Sequence, residues 1–334
     1  MKQFYVGLDL GRKWIYGTIL DEKKRVVKEA KIECTIGAVE KFLQGMPKTT
    51  LNVVIEACGI WEGIYDHLKE RCNVVKVANV LKTKAIGYAR KKTDKIDSKI
   101  LAELLLADMI PEAYVPDTRI RMMRKSVRHR LGIVKIRTMF KNQAHAILRA
   151  RNLHPPPEVK DVFTKKGIVW LKTLDIAEIC SCIRMIEASD NEIETAAVLS
   201  SDNPLRKEIE LLKTMPGVGE VSATLIMSEI VNIKRFETPK KLCGHAGIVP
   251  SVYQSGSTER YGGITKHGPG QLRHMLIECA DVAIRHDKRF KRFFQKIYKK
   301  KGWNVAVTAV AHKMLCIMWF MLTNNQPYIG DKSE

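Results

Sequence analysis

From Arg119 to Arg151 the sequence runs for 33 residues with eleven Lys or Arg and not one Asp or Glu. Within that run Met122, Val127, Leu131, Val134, Ile136, Phe140, Ala144 and Ile147 recur at three- to five-residue intervals, the spacing of one helix face. The segment therefore has to be a long helix that packs on one side and carries its charge on the other. Pro116 stands before it, and Pro155, Pro156 and Pro157 end it. A second run, Arg285 to Lys301, sets nine basic residues against Asp287 alone and interleaves Phe290, Phe293, Phe294, Ile297 and Tyr298, aromatics that read as core-facing before base-stacking. These two runs hold 19 of the chain's 21 net positive charges, and the remainder is close to neutral. A charged helix face is ordinarily just solvated, but such faces mix signs. Without acidic neighbours these residues repel one another unless an anion lies against them, which points to a phosphate backbone.

A chain of 334 residues has room for two or three domains, each with its own core. The charge runs and prolines divide it into residues 1–116, 117–204 and 205–334. Its eight cysteines are scattered with no Cys-x-x-Cys pair, the pattern of reduced, buried thiols in a cytoplasmic protein. The first ten residues do not form a signal peptide. Val305 to Leu322 is apolar enough to raise the question of a membrane. His312 and Lys313 sit in its middle, however, and a central Lys costs ~2.5–3.5 kcal/mol on insertion, so a buried core helix is expected and no membrane partner.

Residues 1–116 alternate short strands and helices, an α/β pattern. Strands are expected at Phe4–Leu10, Trp14–Leu20, Val26–Glu33, Leu51–Ala57 and Val74–Val77, and helices at Ala38–Leu43, Trp61–Glu70 and Ile96–Asp108. Residues 117–204 read as an extended helical arm: the basic helix, an irregular insertion, and a second helix from about Ile176 to Val198, with a coiled coil between protomers as one use for it. Residues 205–334 read as mostly helical. They open on helix, Pro216-Gly217-Val218-Gly219, helix, and continue through a Gly-rich loop from Gly244 to Gly270.

Four carboxylates stand out in the first region. Asp9 lies inside a strand between Gly7 and Gly11, where propensity disfavours it and the glycines leave room for something to approach. Glu56 ends a β-branched run, at the carboxyl end of a strand where open α/β sheets bind ligands. Asp94 and Asp97 share a face at the start of a helix, and Asp97 points with Leu101 and Leu104 toward the sheet. Singly, each has an ordinary reading: Asp94 as a helix cap, Asp97 as a first-turn acid, Asp9 as a turn residue. Together they would repel unless cations neutralised them, and two Mg2+ ions about 3.5–4 Å apart are the usual solution in phosphodiester chemistry.

Asp9, Glu56, Asp94 and Asp97, in this order and on these elements, resemble the acidic tetrad of RuvC-type Holliday-junction resolvases. With the third region added, the chain resembles the DEDD transposases encoded by insertion sequences, the family that includes the Piv-type DNA invertases. The resemblance implies a ribonuclease H-like (RuvC-like) fold for residues 1–116 and a transposase domain beginning at a helix-hairpin-helix, Leu212 to Leu225. It implies a metal site at the four acids, with Mn2+ able to substitute for Mg2+, and a serine nucleophile in the run Gly244 to Gly268. That role falls on Ser255, which Gly256 leaves open to a phosphodiester; Ser251 and Ser257 stay as alternatives. A phosphoserine link would store the broken bond, so rejoining would need no ATP. The family also implies donor and target double-stranded DNA, a structured noncoding guide RNA from the element's own flank, a dimer or tetramer, and a bacterial or archaeal cytoplasm. Expected nucleic-acid contacts are Arg124, Lys125, Arg128, Arg130, Lys135, Arg137 and Lys141 on the basic helix. Gly217 and Gly219 would supply backbone amides at the hairpin, and Arg260, Lys266 and Arg273 would hold phosphate near the serine.

Three other readings compete. A structure-selective nuclease would use the tetrad without the serine. An actin- or sugar-kinase-type ATPase would read Gly7-Leu-Asp-Leu-Gly11 as a phosphate loop, but Tyr261-Gly-Gly-Ile264 is poorly placed as the second loop that fold needs. A basic architectural protein has no use for four convergent acids that repel its ligand.

Overall fold

The computed structural model describes residues 2–57, 59–86, 93–196, 203–255 and 258–330, with Lys84 and Ser255 described by backbone alone. The chain forms two compact units, Met1–Val115 and Pro116–Glu334.

In the first unit β1 (Phe4–Leu10), β2 (Trp14–Asp21) and β3 (Val26–Glu33) form an antiparallel meander. Its second turn is shaped by Asp21, whose Oδ1 accepts from the Lys23 and Arg25 amides at 2.9 Å each. Two further strands, β4 (Leu51–Glu56) and β5 (Val74–Ala78), join parallel to β1, giving the order β3-β2-β1-β4-β5. Period-two alternation sorts the side chains between faces. Val6, Leu8, Leu51, Val53 and Ile55 pack under α1 (Ile36–Leu43) and α2 (Trp61–Arg71), while Val54 and Ala78 meet Leu101 and Leu105 of α4 (Asp94–Leu106) on the other side. The short α3 (Val80–Ile86) follows β5.

Gly7 sets how closely α4 lies on β1. A Cβ at Gly7 would stand 2.1 Å from the Ser98 carbonyl oxygen and 2.6 Å from the Ala102 nitrogen, so the open space beside Asp9 is filled by a helix backbone and not by a ligand. Thr18 and Ser98 hydroxyls, 2.8 Å apart and buried, tie the same helix to β2. Thr93 caps α4, its Oγ1 accepting from the Ile96 amide at 3.3 Å, so Asp94 is the first helical residue instead of the cap.

The second unit opens with α5 (Thr118–Ala150), capped by Asp117 and unbroken over 33 residues. After α6 (Lys165–Thr173), α7 (Ala177–Thr195) packs along α5, and Leu148, Val162, Leu171, Ile179 and Ile183 close a small core there. The main core is built by α8 (Arg206–Lys213), α9 (Glu220–Ile230), α10 (Pro239–Ala246), α11 (Gly270–His286), α12 (Lys288–Lys301) and α13 (Trp303–Asn324). By length and composition α13 is the one described helix able to cross a membrane. Here its buried face, Ala306 to Leu322, packs into that core against α8, α10, α11 and α12, and Lys313 sits over the Phe293 ring of α12 at 4.5 Å. Phe290 is buried and Phe293 and Phe294 pack against the core, as expected of them.

The expected Gly-rich loop is instead a hairpin of β6 (Pro250–Ser255) and β7 (Thr258–Ile264). Its Ser and Gly content conceals the β-formers Val252, Tyr253, Tyr261 and Ile264, of which Val252 and Tyr261 pair across the strands.

Adding one methyl group, Gly7→Ala, drives Cβ into backbone that has nowhere to go. A loss of about 3 kcal/mol, the upper end of overpacking penalties, is expected for the first unit in urea unfolding monitored by circular dichroism.

Candidate functional site

The parallel register pairs Leu8 of β1 with Ile55 of β4, so the next residues, Asp9 and Glu56, stand side by side at the carboxyl ends of neighbouring strands. Alternation puts both on the face that carries Gly7 and Val54, the face covered by α4. Both are half-buried. Ser98 and Ala102 lie over Gly7 while Leu104 and Leu105 pack with Tyr5, further back on the strand, so α4 runs antiparallel to β1. Its first turn, with Asp94 exposed and Asp97 half-buried, therefore points toward the strand ends that hold Asp9 and Glu56. Lys95, between those two aspartates, is tied away to Glu29 of β3.

Four carboxylates supply only hard oxygen donors, the set that Mg2+ or Mn2+ takes. Among the described residues, the one group of three ligand atoms lying within 4.8 Å of each other is Cys243, His312 and Cys316, in the other unit.

On the hairpin, Ser255 is the last residue of β6 and pairs through its backbone with Thr258. Its side chain, Gly256 and Ser257 lie outside the described residues. Ser251 donates to the Gly263 carbonyl at 3.0 Å and fills the space over Gly262, where a Cβ would meet its Oγ at 2.5 Å. Arg260, across from Tyr253, is exposed, as is Lys266 at the hairpin base, where the backbone takes φ of 55°. Arg273 Nη1 donates to Ala246 O at 3.2 Å and to His267 O and Gly268 O at 3.4 Å each. Its guanidinium thus clamps the end of α10 to the hairpin base.

The basic helix divides its charges between the inside and the outside. Arg124 Nη2 and Nε donate to the Ser228 carbonyl at 2.6 and 2.9 Å, and Arg128 to Glu229 Oε1 at 2.6 and 2.9 Å. Glu229, 2% exposed, also lies 3.5 Å from Arg124 Nε. Arg137 pairs with Asp190 of α7 at 2.5 Å, and Lys141 sits over the Phe163 ring at 5.0 Å. Lys125 and Lys135 are exposed and Arg130 is half-buried. Arg128, Arg130, Lys135 and Arg137 line a cavity of about 1020 Å3 together with Gln271 and His274 at the start of α11. Gly217 has φ of 85° and no room for a Cβ, which would stand 2.3 Å from Cys279 O, so its close approach is to α11; Gly219 leads into α9, and its amide, expected to face phosphate, donates instead to Ser222 Oγ at 2.8 Å. Sequence reasoning did not single out Lys288, Lys291, Lys296 and Lys299 to Lys301 of α12 individually, yet all are exposed. The lone acid of that run, Asp287, is turned inward as the helix cap, accepting from the Arg289 and Phe290 amides and from Tyr328 Oη at 2.7 Å.

Residues 6–152 match the DEDD-type IS110 transposase profile, and residues 209–295 match the profile described as Transposase IS116/IS110/IS902 family. The chain belongs to this family of insertion-sequence transposases. The first match takes in all four acids and the basic helix; the second takes in the α8–α9 turn, the serine hairpin and the first half of α12. Protein y4qE of Sinorhizobium fredii is 28% identical over 67% of this chain and 55% of its own length. The transposase for insertion sequence element IS1111A of Coxiella burnetii is 25% identical over 59% of this chain and 57% of its own. This chain thus spans little more than half the length of those two relatives. The pilin gene-inverting protein of Moraxella bovis is 24% identical over 84% of this chain and 82% of its own.

Glu229 holds α5 to α9 from a buried position. Glu229→Ala, which strands two guanidinium groups against its pocket, is expected to cost about 3 kcal/mol in urea unfolding. Asp190→Ala, at the half-buried pair with Arg137, is expected to cost about 1 kcal/mol.

Proposed function

We propose that this chain cuts and rejoins DNA as the transposase or site-specific recombinase of an insertion sequence, using Asp9, Glu56, Asp94 and Asp97 with divalent metal and Ser255 as nucleophile. The observation that carries this is the pairing of Asp9 and Glu56 at adjacent strand ends beneath the first turn of α4. The strand order, three antiparallel strands followed by two parallel ones, supports a ribonuclease H-like reading of this unit.

When bound, Mg2+ at the four carboxylates would supply positive charge to the scissile phosphate. The protein's own part is to keep oxygen donors near one another: the sheet register fixes Asp9 beside Glu56, and the backbone contact at Gly7 fixes the helix that carries Asp97. Ser255 Oγ would attack phosphorus, expelling the strand's hydroxyl end, which takes up a proton; reversal by a second strand end reseals without ATP. Ser251 is the weaker alternative, because its hydroxyl is already held by Gly263 O. Exposed lysines of α5 and α12 would hold DNA, or a structured guide RNA expressed from the element's flank, by phosphate contacts that carry no sequence information.

The test uses full-length protein purified with RNA transcribed from its flanking DNA, Mg2+, and donor and target duplexes. Recombined product is expected, and Asp9→Asn, Asp97→Asn and Ser255→Ala should each lower it by ~1,000-fold or more. Full cleavage by Ser255→Ala would hand the assignment to a nuclease using the acids alone. Replacing Lys291, Lys296 and Lys299 with Gln should weaken binding without regard to sequence, and should flatten the slope of log K against log salt by up to about 3.

A further inference from the structure

Outside the acids and the hairpin, one cluster of chemistry-bearing side chains stands apart in the second unit. Cys243 comes from α10, and His312 and Cys316 come from α13, one helical turn apart and therefore on one face. The two sulfurs are 3.6 Å apart, Cys316 Sγ is 3.8 Å from His312 Nδ1, and all three ligand atoms lie within 4.8 Å of one another. Tetrahedral zinc with bonds of about 2.3 Å to sulfur and about 2.0–2.1 Å to nitrogen requires S···S near 3.8 Å and S···N near 3.6 Å. The S···S separation and the Cys316–His312 separation already stand near those values, and Cys243 Sγ lies within 4.8 Å of the His312 ligand nitrogen.

We propose that Cys243, His312 and Cys316 form a three-ligand site for a thiophilic divalent cation, Zn2+, that fastens α10 to α13. Two sulfurs and an imidazole select zinc over the Mg2+ suited to the carboxylates, so this site is chemically separate from the acidic one. Cys243 is fully buried, whereas His312 and Cys316 are half-buried, which leaves the fourth position to water or an outside ligand.

The position of the cluster gives the metal a task. α10 ends at Gly247, whose φ of 68° and missing Cβ allow the turn to sit against His267 O, 2.0 Å from where that Cβ would be. Thr265 N donates to Val249 O at 2.9 Å and Lys266 N to Gly247 O at 3.2 Å, so the hairpin base rests directly on the end of α10. An ion joining α10 to the core helix would hold that base still. This inference needs only the second unit's geometry and stands or falls independently of the recombinase reading.

The experiment uses untagged full-length protein prepared with a non-chelating reductant and no chelator. Metal analysis should find about one Zn2+ per chain. Co2+ exchanged into the wild type should give thiolate-to-cobalt charge-transfer bands and strong tetrahedral d–d absorption. Cys316→Ser should lose both, whereas Cys279→Ser, a buried thiol outside the cluster, should keep both. Chelation should lower the melting temperature of the wild type and leave that of Cys316→Ser unmoved. A wild type that neither retains zinc nor shows cobalt–thiolate bands overturns the proposal without relying on any variant. So does retention of metal by Cys316→Ser, or mass spectrometry showing Cys243 and Cys316 joined as a disulfide in freshly isolated protein.

Discussion

Everything at the acidic end of the first unit depends on a helix backbone resting directly on a strand. Because Gly7 has no side chain, α4 approaches β1 until the Ser98 carbonyl and the Ala102 amide occupy the space a Cβ would take. That contact sets the height of α4 above the sheet, and the hydrogen bond between Thr18 and Ser98 sets its position along β2. Two aspartates on a helix and two acids on strands can share a face only when helix and sheet are locked at this level. Burial of Leu101 and Leu105 against Val54 supplies the hydrophobic stabilisation that keeps the helix on the sheet.

Charge in the second unit follows a different logic. Arginine and lysine, equivalent in a net-charge count, are used differently here. The forked guanidinium groups of Arg124, Arg128 and Arg273 bind carbonyl oxygens and a buried carboxylate inside the fold, and Arg137 reaches across to α7. The ammonium groups of Lys125, Lys135 and most of α12 stay outside. A basic helix can therefore be both a structural member and a polyanion-facing surface.

Much of this was legible in the sequence. Alternation marked the strands, the three-to-five-residue spacing marked α5, and the order of the four acids with the elements that carry them marked the candidate site. Less legible were features that depend on distant partners. Glu229 lies 101 residues from Arg128, and Cys243 lies 73 from Cys316, so neither pairing leaves a local pattern. Gly7 was noticed for the right reason, a need for space, but the occupant was a helix of the same chain. The hairpin was hidden because Ser and Gly dominate its composition and its β-formers, Val252, Tyr253, Tyr261 and Ile264, follow no two-residue period.

The unbroken length of α5 sets a distance. At 1.5 Å per residue its 33 residues extend about 50 Å, and duplex DNA advances about 3.4 Å per base pair, so this single element measures out roughly 15 base pairs. Continuous helical hydrogen bonding gives it little capacity to shorten, and no proline interrupts it. Nucleic acid gripped near both of its ends would be gripped at two points of fixed separation, with the helix acting as a ruler.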